Sequence, residues 1–250
     1  MYSPPRAQNL FNPNSTEPFK LSRSKIENFI RCPRCFYLDR RLGIDAPPTP
    51  SFTLNNAVDA LLKKEFDAHR VAKTAHPIME AYGVEAVPFE HEKMEAWRDA
   101  LRRGIQYVYE PENLLITGGI DDVWVNPEGE LIIVDYKATS KEGDVVLEGS
   151  GGWEMSYKRQ MEIYQWLFRN NNFKVSNTGY FVYCNGDKDK KAFDKKLEFK
   201  VTLIPYTGSD AWIPLALKKI RACLTSNKIP EASVMCDYCK YRKAAGRVEQ

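Results

Sequence analysis

The sequence predicts an α/β protein built on a small sheet with helices packed against it. Three observations lead there. Residues 116–138 alternate with a period of two, as ITGGIDDVWV and ELIIVDYKA. They flank Asn126-Pro127-Glu128-Gly129, a turn with proline at its second position, so the stretch reads as a hairpin. Two long segments, Thr53 to Arg70 and Trp153 to Arg169, repeat their apolar residues at helical spacing. Thr178 to Cys184 and Lys196 to Ile204 read as two further strands around the polar tip NGDKDKKAFD.

In chain order, residues 1–20 are rich in Pro, Asn and Ser and predict a flexible arm. Residues 21–250 are expected to form one domain. Ser24 and Glu27 form a possible capping box, and Ile26, Phe29 and Ile30 supply an apolar face up to Pro33. A second short helix is expected from Arg34 to Leu42, stopping at Gly43, and APPTP at 46–50 reads as a stiff connector. From Thr53, the positions Leu54, Ala57, Val58, Leu61, Leu62 and Phe66 make an apolar stripe with Asp59 at its border. Residues 71–90 look irregular. Glu92 to Arg103 is expected to be helical around Met94, Trp97 and Leu101, and Ile105 to Tyr109 to be a strand feeding the hairpin. Beyond the hairpin, KEGDVVLEGSGG predicts a loop over the site, and a last helix is expected from Ser209 to Leu224.

With 43% hydrophobic and 28% charged residues over 250 positions, the chain has material for a sizeable core and does not read as disordered. A net charge of +3 permits a nucleic-acid partner without demanding one. No window approaches the roughly 18 apolar residues of a membrane span, and the N-terminus has no run of signal-peptide type. A cytoplasmic protein with no membrane partner is therefore expected. Six cysteines in such a chain argue for metal or buried thiols over disulfides. Four form the pairs Cys32-Pro-Arg-Cys35 and Cys236-Asp-Tyr-Cys239, while Cys184 and Cys223 sit alone in apolar surroundings and read as core.

Alternation places Asp135 and Lys137 on one face of the second hairpin strand, within reach of Asp121 on the first. Asp122 falls on the opposite face and is assigned no role. Gln160 and Tyr164, four apart, share one helix face.

The ordered set GGID, VDYK and QMEIY resembles the PD-(D/E)XK nuclease superfamily, and within it the RecB-type nucleases and the related CRISPR-associated exonucleases. The resemblance spans Leu21 to Tyr241. It implies a restriction-endonuclease-like core, a small mixed central sheet flanked by helices, with the N- and C-terminal segments joined by a four-cysteine metal site. By resemblance, Asp121 and Asp135 bind Mg2+ or Mn2+ with the main-chain carbonyl of Tyr136, and Lys137 orients or deprotonates the attacking water. Gln160 and Tyr164 match the motif thought to contact the site and the DNA. Carboxylates suit these hard ions, which generate a nucleophile near neutral pH and neutralise phosphoryl charge.

The implied activity is metal-dependent hydrolysis of DNA, as an exonuclease acting on single-stranded or free ends in repair, recombination or defence. A helicase or another repair or defence protein is the implied partner. The alternative is a catalytically silent binding or scaffold module of the same fold. Two departures stand out. Where RecB-type members carry a histidine on the first core helix, this chain has Asp59, a possible third oxygen ligand, with His69 as the fallback. Relatives with an iron-sulfur cluster place one cysteine before the core and three after it, against two and two here. Cys32, Cys35, Cys236 and Cys239 still suffice, and by resemblance they are expected to hold a [4Fe-4S] cluster, with a zinc ion as the alternative.

Overall fold

The computed structural model describes residues 7–47, 53–143, 145–147, 149 and 152–249. β1 (Phe19–Ser22) leads into α1 (Arg23–Arg31) and α2 (Pro33–Leu42), which stops on Gly43 in the left-handed region, φ 75°. Next come α3 (Thr53–Ala72), α4 (Pro77–Ala81), β2 (Val87–Pro88), α5 (Met94–Arg98) and β3 (Ile105–Tyr109). β4 (Leu114–Gly118), β5 (Asp122–Val125) and β6 (Leu131–Thr139) carry the central motifs. α6 (Gly152–Asn170), β7 (Thr178–Gly186), β8 (Phe199–Thr207), α7 (Ile213–Thr225) and α8 (Asp237–Val248) complete the chain. No described helix is long and apolar enough to cross a membrane.

The chain divides into two compact units. The larger one, Ser51–Gln106 with Gly118–Asp210, holds a five-stranded sheet in the order β2-β5-β6-β7-β8. β6 and β7 run parallel with α6 as their crossover, while the other neighbours are antiparallel, so the sheet is mixed. The expected hairpin is β5–β6, with Asp122 opposite Val134 and Val125 opposite Leu131. Its turn closes with a 3.0 Å bond from Gly129 N–H to the Asn126 carbonyl, and Gly129 takes φ 74°.

Pleating sorts β6 by face. Val134 and Tyr136 join Leu62, Phe66, Met79, Trp124 and Val182 in one apolar cluster, with the Phe66 ring stacked on Trp124 at 5.4 Å. Full burial of Phe66 contributes roughly 1.5–3 kcal/mol to stability. On α6 the run Gln160–Phe168 is buried throughout.

Several expectations are corrected. The first hairpin strand is divided: residues 116–118 belong to β4 in a different sheet, and Asp121 lies just before β5. Ile120 N–H bonds the Trp97 carbonyl at 3.2 Å instead of a ladder partner. The reason is close packing at Gly119, where a Cβ would collide with Ala100. α5 ends at Arg98, where Asp99 turns out of the helical region with ψ 78°, and Leu101 is 94% exposed. The α3 stripe is narrower than its spacing suggests, since Leu54 and Leu61 are exposed and burial centres on Leu62 and Phe66. Residues 71–90 hold α4 and β2. The capping box at Ser24 and Glu27 does not form: Ser22 is the N-cap, and its hydroxyl meets Ser24 Oγ at 2.9 Å. α7 starts at Ile213, with Pro214 in its first turn where no N–H is needed.

The second unit comprises Met1–Pro50, Tyr107–Thr117 and Ala211–Gln250. Here β1 runs parallel to β4, and α1, α2 and α7 pack together. Of the expected arm, residues 1–6 lie outside the described residues. The rest is anchored, because Phe11 is 2% exposed, meets Phe19 edge-on at 5.4 Å, and donates its N–H to the Arg40 carbonyl. Residues 48–50 of the expected connector and 144, 148, 150 and 151 of the expected loop also lie outside the described residues.

Candidate active site

β6 is buried through Tyr136 and emerges from the core at Lys137, so its C-terminal half delivers polar side chains to a boundary between core and solvent. Asp135 is fully buried there. A carboxylate without water must be paired and hydrogen-bonded. The Lys137 ammonium pairs with its Oδ2, and Gln160 Nε2 donates to its Oδ1 at 2.8 Å. Gln160 Nε2 also lies 3.1 Å from the Tyr164 hydroxyl. Tyr164 reaches this point because Gly118 lacks a side chain: a Cβ there would lie 2.7 Å from the Tyr164 ring. The two glycines of the GGID motif thus serve close approach, one to Tyr164 and one to Ala100.

Asp121 enters from the residue just before β5. Its Oδ2 accepts the Tyr136 backbone N–H at 2.9 Å, which fixes the carboxylate against β6. Its Oδ1 lies 3.7 Å from Lys63 Nζ, and the same ammonium donates to Asp59 Oδ2 at 2.8 Å. A pocket of 290 Å³ opens here, walled by Asn55, Asp59, Asp121, Tyr136, Lys137 and Tyr157 among others. The Tyr157 ring faces the Lys137 ammonium at 4.6 Å from the centroid, a cation–π contact.

The electrostatics follow from burial. Desolvation and the neighbouring charge of Asp135 push the Asp121 carboxyl up to about 6. Burial works against the Lys137 charge, but Asp135 and Asp121 outweigh it and hold the amine above its ordinary value, so it is an ammonium at neutral pH. Asp121 lines the polar pocket, Asp135 lies buried behind Lys137, and the Tyr136 carbonyl lies 3.5 Å from the Lys137 ammonium, so hard oxygens gather at this boundary. That set fits a divalent cation of the Mg2+ or Mn2+ kind.

Asp121, Asp135, Lys137, Gln160 and Tyr164 are therefore brought together, and Asp59 lines the same pocket. His69 does not: its Nδ1 lies 3.0 Å from Thr74 Oγ1, and its ring sits against His76. Asp122, assigned no role from its face, is fully buried and far from idle. Its carboxylate accepts from Arg70, from Arg98 at 3.2 Å, from the Tyr136 hydroxyl at 2.7 Å and from Val123 N–H. Lys63 and Tyr157 were not anticipated. The signal was there in both cases, since Lys63 is four residues past Asp59 and Tyr157 precedes Gln160 by three and Tyr164 by seven.

In the smaller unit, Cys32, Cys35, Cys236 and Cys239 converge, with all four Sγ atoms within 4.8 Å of one another. Cys35 Sγ is 3.5 Å from both Cys236 and Cys239, and Cys32 Sγ is 3.8 Å from Cys239. Burial opposes ionisation of Cys32, but backbone hydrogen bonds at Cys35 and Ser233 hold it at about 7. Burial and the surrounding sulfurs drive Cys35 far upward. Four cysteine sulfurs gathered this closely are compatible with a metal ion, which would hold them as thiolates. Cys184 is buried, as expected. Cys223 is only partly buried, though burial raises its thiol to about 11.

The pattern of the PD-(D/E)XK nuclease superfamily matches residues 20–244, and the chain belongs to that superfamily. No curated protein matches the sequence. Among solved structures, the chain is similar to SSO0001, with 18% identity, 92% of this chain and 87% of that one covered, and a TM-score of 0.44. It is also similar to a protein of Eubacterium rectale described as a candidate exonuclease, with 15% identity, 89% and 87% covered, and a TM-score of 0.44.

Proposed function

We propose that this chain is a Mg2+- or Mn2+-dependent deoxyribonuclease, its residues 21–250 working as one nuclease domain. The observation that carries this is that Asp121 and the Lys137 ammonium line one pocket of a superfamily member, with the buried Asp135 paired to Lys137 behind its wall. Asp121, Asp135 and the Tyr136 carbonyl would hold the ion, which supplies Lewis acidity and a water made nucleophilic near neutral pH. Lys137, charged and partly desolvated, stabilises negative charge as it builds on the phosphoryl oxygens and orients the incoming water. Asp121 is held rigid by the Tyr136 amide, and Asp135 by Gln160, which Tyr164 backs. Gln160 and Tyr164 are 7% and 4% exposed, so they act as positioning residues behind Asp135 and not as DNA contacts. The motif resemblance supports exonuclease action on single-stranded or free ends, alongside a helicase or another repair or defence protein.

Linear and circular DNA incubated with Mg2+ or Mn2+ tests the reading. Wild-type protein is expected to degrade linear DNA, and Asp135→Ala and Lys137→Ala to lose that activity while staying folded. Unchanged cleavage in both variants would exclude this site. No cleavage of any DNA form by folded, metal-loaded protein would instead support a silent scaffold module.

For the cysteine site, the sulfur separations favour zinc over the [4Fe-4S] cluster. With Zn–S near 2.3 Å, a tetrahedron has edges of about 3.8 Å, which three of the six sulfur spacings match at 3.5–3.8 Å while all six stay within 4.8 Å. A four-iron cluster puts each thiolate on a different iron and spreads the sulfurs to roughly 6 Å. Metal analysis should find one zinc per chain in colourless protein, and Cys236→Ser should lower the melting temperature because the site's binding energy is folding energy. Brown protein absorbing near roughly 400 nm would overturn the zinc assignment.

A further inference from the structure

We propose that the Lys63 ammonium occupies the cation position between Asp59 and Asp121 that a second divalent ion would otherwise take, so that this site holds a single ion on Asp121 and Asp135. The inference rests on the nuclease reading above and adds the ion count and the role of Asp59, which becomes the anchor of Lys63 in place of a metal ligand.

The geometry divides the oxygens of the pocket. Asp121 Oδ2 takes the Tyr136 amide, and Oδ1 turns to Lys63 Nζ at 3.7 Å. Asp59 Oδ2 receives the same ammonium at 2.8 Å. Asp59 and Lys63 are four apart on α3, acid first, which is the favourable order for a helical ion pair. The amine is therefore delivered to this spot by the helix itself. Two-metal sites hold their ions about 3.5–4 Å apart, so each ion must lie close to an acid it shares or neighbours. The Lys63 ammonium already sits between Asp121 Oδ1 and Asp59 Oδ2, where an ion bridging those two acids would lie.

Charge balance points the same way. Asp59, Asp121 and Asp135 against Lys63 and Lys137 leave one net negative charge. One divalent ion turns that into one positive charge, which a single phosphodiester anion matches. A second ion would leave three, and among the described residues the pocket wall contains no acid besides Asp59 and Asp121 to meet it.

The test counts Mn2+ by electron paramagnetic resonance on zinc-loaded protein, with no cleavage step. Wild-type protein is expected to bind one Mn2+, and Asp59→Asn and Lys63→Arg to keep one. Lys63→Met removes the ammonium while preserving the aliphatic stem, and is expected to bind two. Two ions in the wild type, loss of the ion in Asp59→Asn, or a count of one in folded Lys63→Met would each overturn the inference while leaving the nuclease site intact. Failure of the nuclease reading looks different: either no Mn2+ in the wild type, or a count unaffected by Asp135→Asn, and either result removes this inference with it.

Discussion

Replacing Asp122 by alanine should be among the most damaging single changes in the larger unit, although the residue takes no part in the chemistry. Asp122 has no exposed surface and is the common acceptor for Arg70, Arg98, the Tyr136 hydroxyl and its own strand's Val123 N–H. Breaking a buried charge pair by deleting one partner costs roughly 3–5 kcal/mol, because the remaining charge stays desolvated. Here Arg70 and Arg98 each keep one bond to Asp67, at 3.0 and 2.9 Å, and Arg70 also donates to the Phe89 carbonyl. The lower end of the range, about 3 kcal/mol, is therefore expected. For a protein of this size that corresponds to a fall of roughly 6–12 °C in melting temperature. Tyr136→Phe removes only one of the four bonds and should cost less, about 1–2 kcal/mol. Thermal melts followed by circular dichroism check both. An Asp122→Ala protein melting within about 2 °C of wild type would refute the argument that this carboxylate holds the two arginines in place.

Two further outcomes follow from named contacts. Gln160→Ala leaves Asp135 Oδ1 without its donor, and a hydrogen bond to a charged group contributes about 1.5–3 kcal/mol, so kcat should fall about 10- to 100-fold with KM for DNA unchanged. A rise in KM at intact kcat would make Gln160 a DNA contact instead. In the smaller unit, burial would raise the Asp39 carboxyl, but the Arg40 fork at 2.9 Å and Lys25 at 2.7 Å outweigh it and hold it well below the usual carboxylate range. A depressed carboxyl stabilises the fold above its unfolded value of about 3.9 and loses that contribution as pH falls below it. Wild-type melting temperature should thus drop more steeply below about pH 4 than that of Asp39→Asn, which should start lower at pH 7; parallel curves would contradict the assignment.

What the sequence alone determined is whatever local period encodes. A two-residue period suffices to find the β5–β6 hairpin and to put Asp135 and Lys137 on one face, and a spacing of four suffices to align Gln160 with Tyr164. The paired cysteines announce a metal site without any fold in hand. Tertiary structure decided the rest, because it depends on which distant segments meet. Nothing near Asp122 in sequence reveals that Arg70 and Arg98 will clamp it, so its buried charge was invisible. α5 ends at Arg98, and Ala100 beyond it packs closely on Gly119, nineteen positions on, a contact that helical periodicity through Leu101 could not report. Lys63 was legible as a helical partner of Asp59, but only folding of the hairpin against α3 brought Asp121 to its other side. Period and spacing are properties of a few consecutive residues. Pairing of buried charges across 20 to 60 positions is a property of the packed chain.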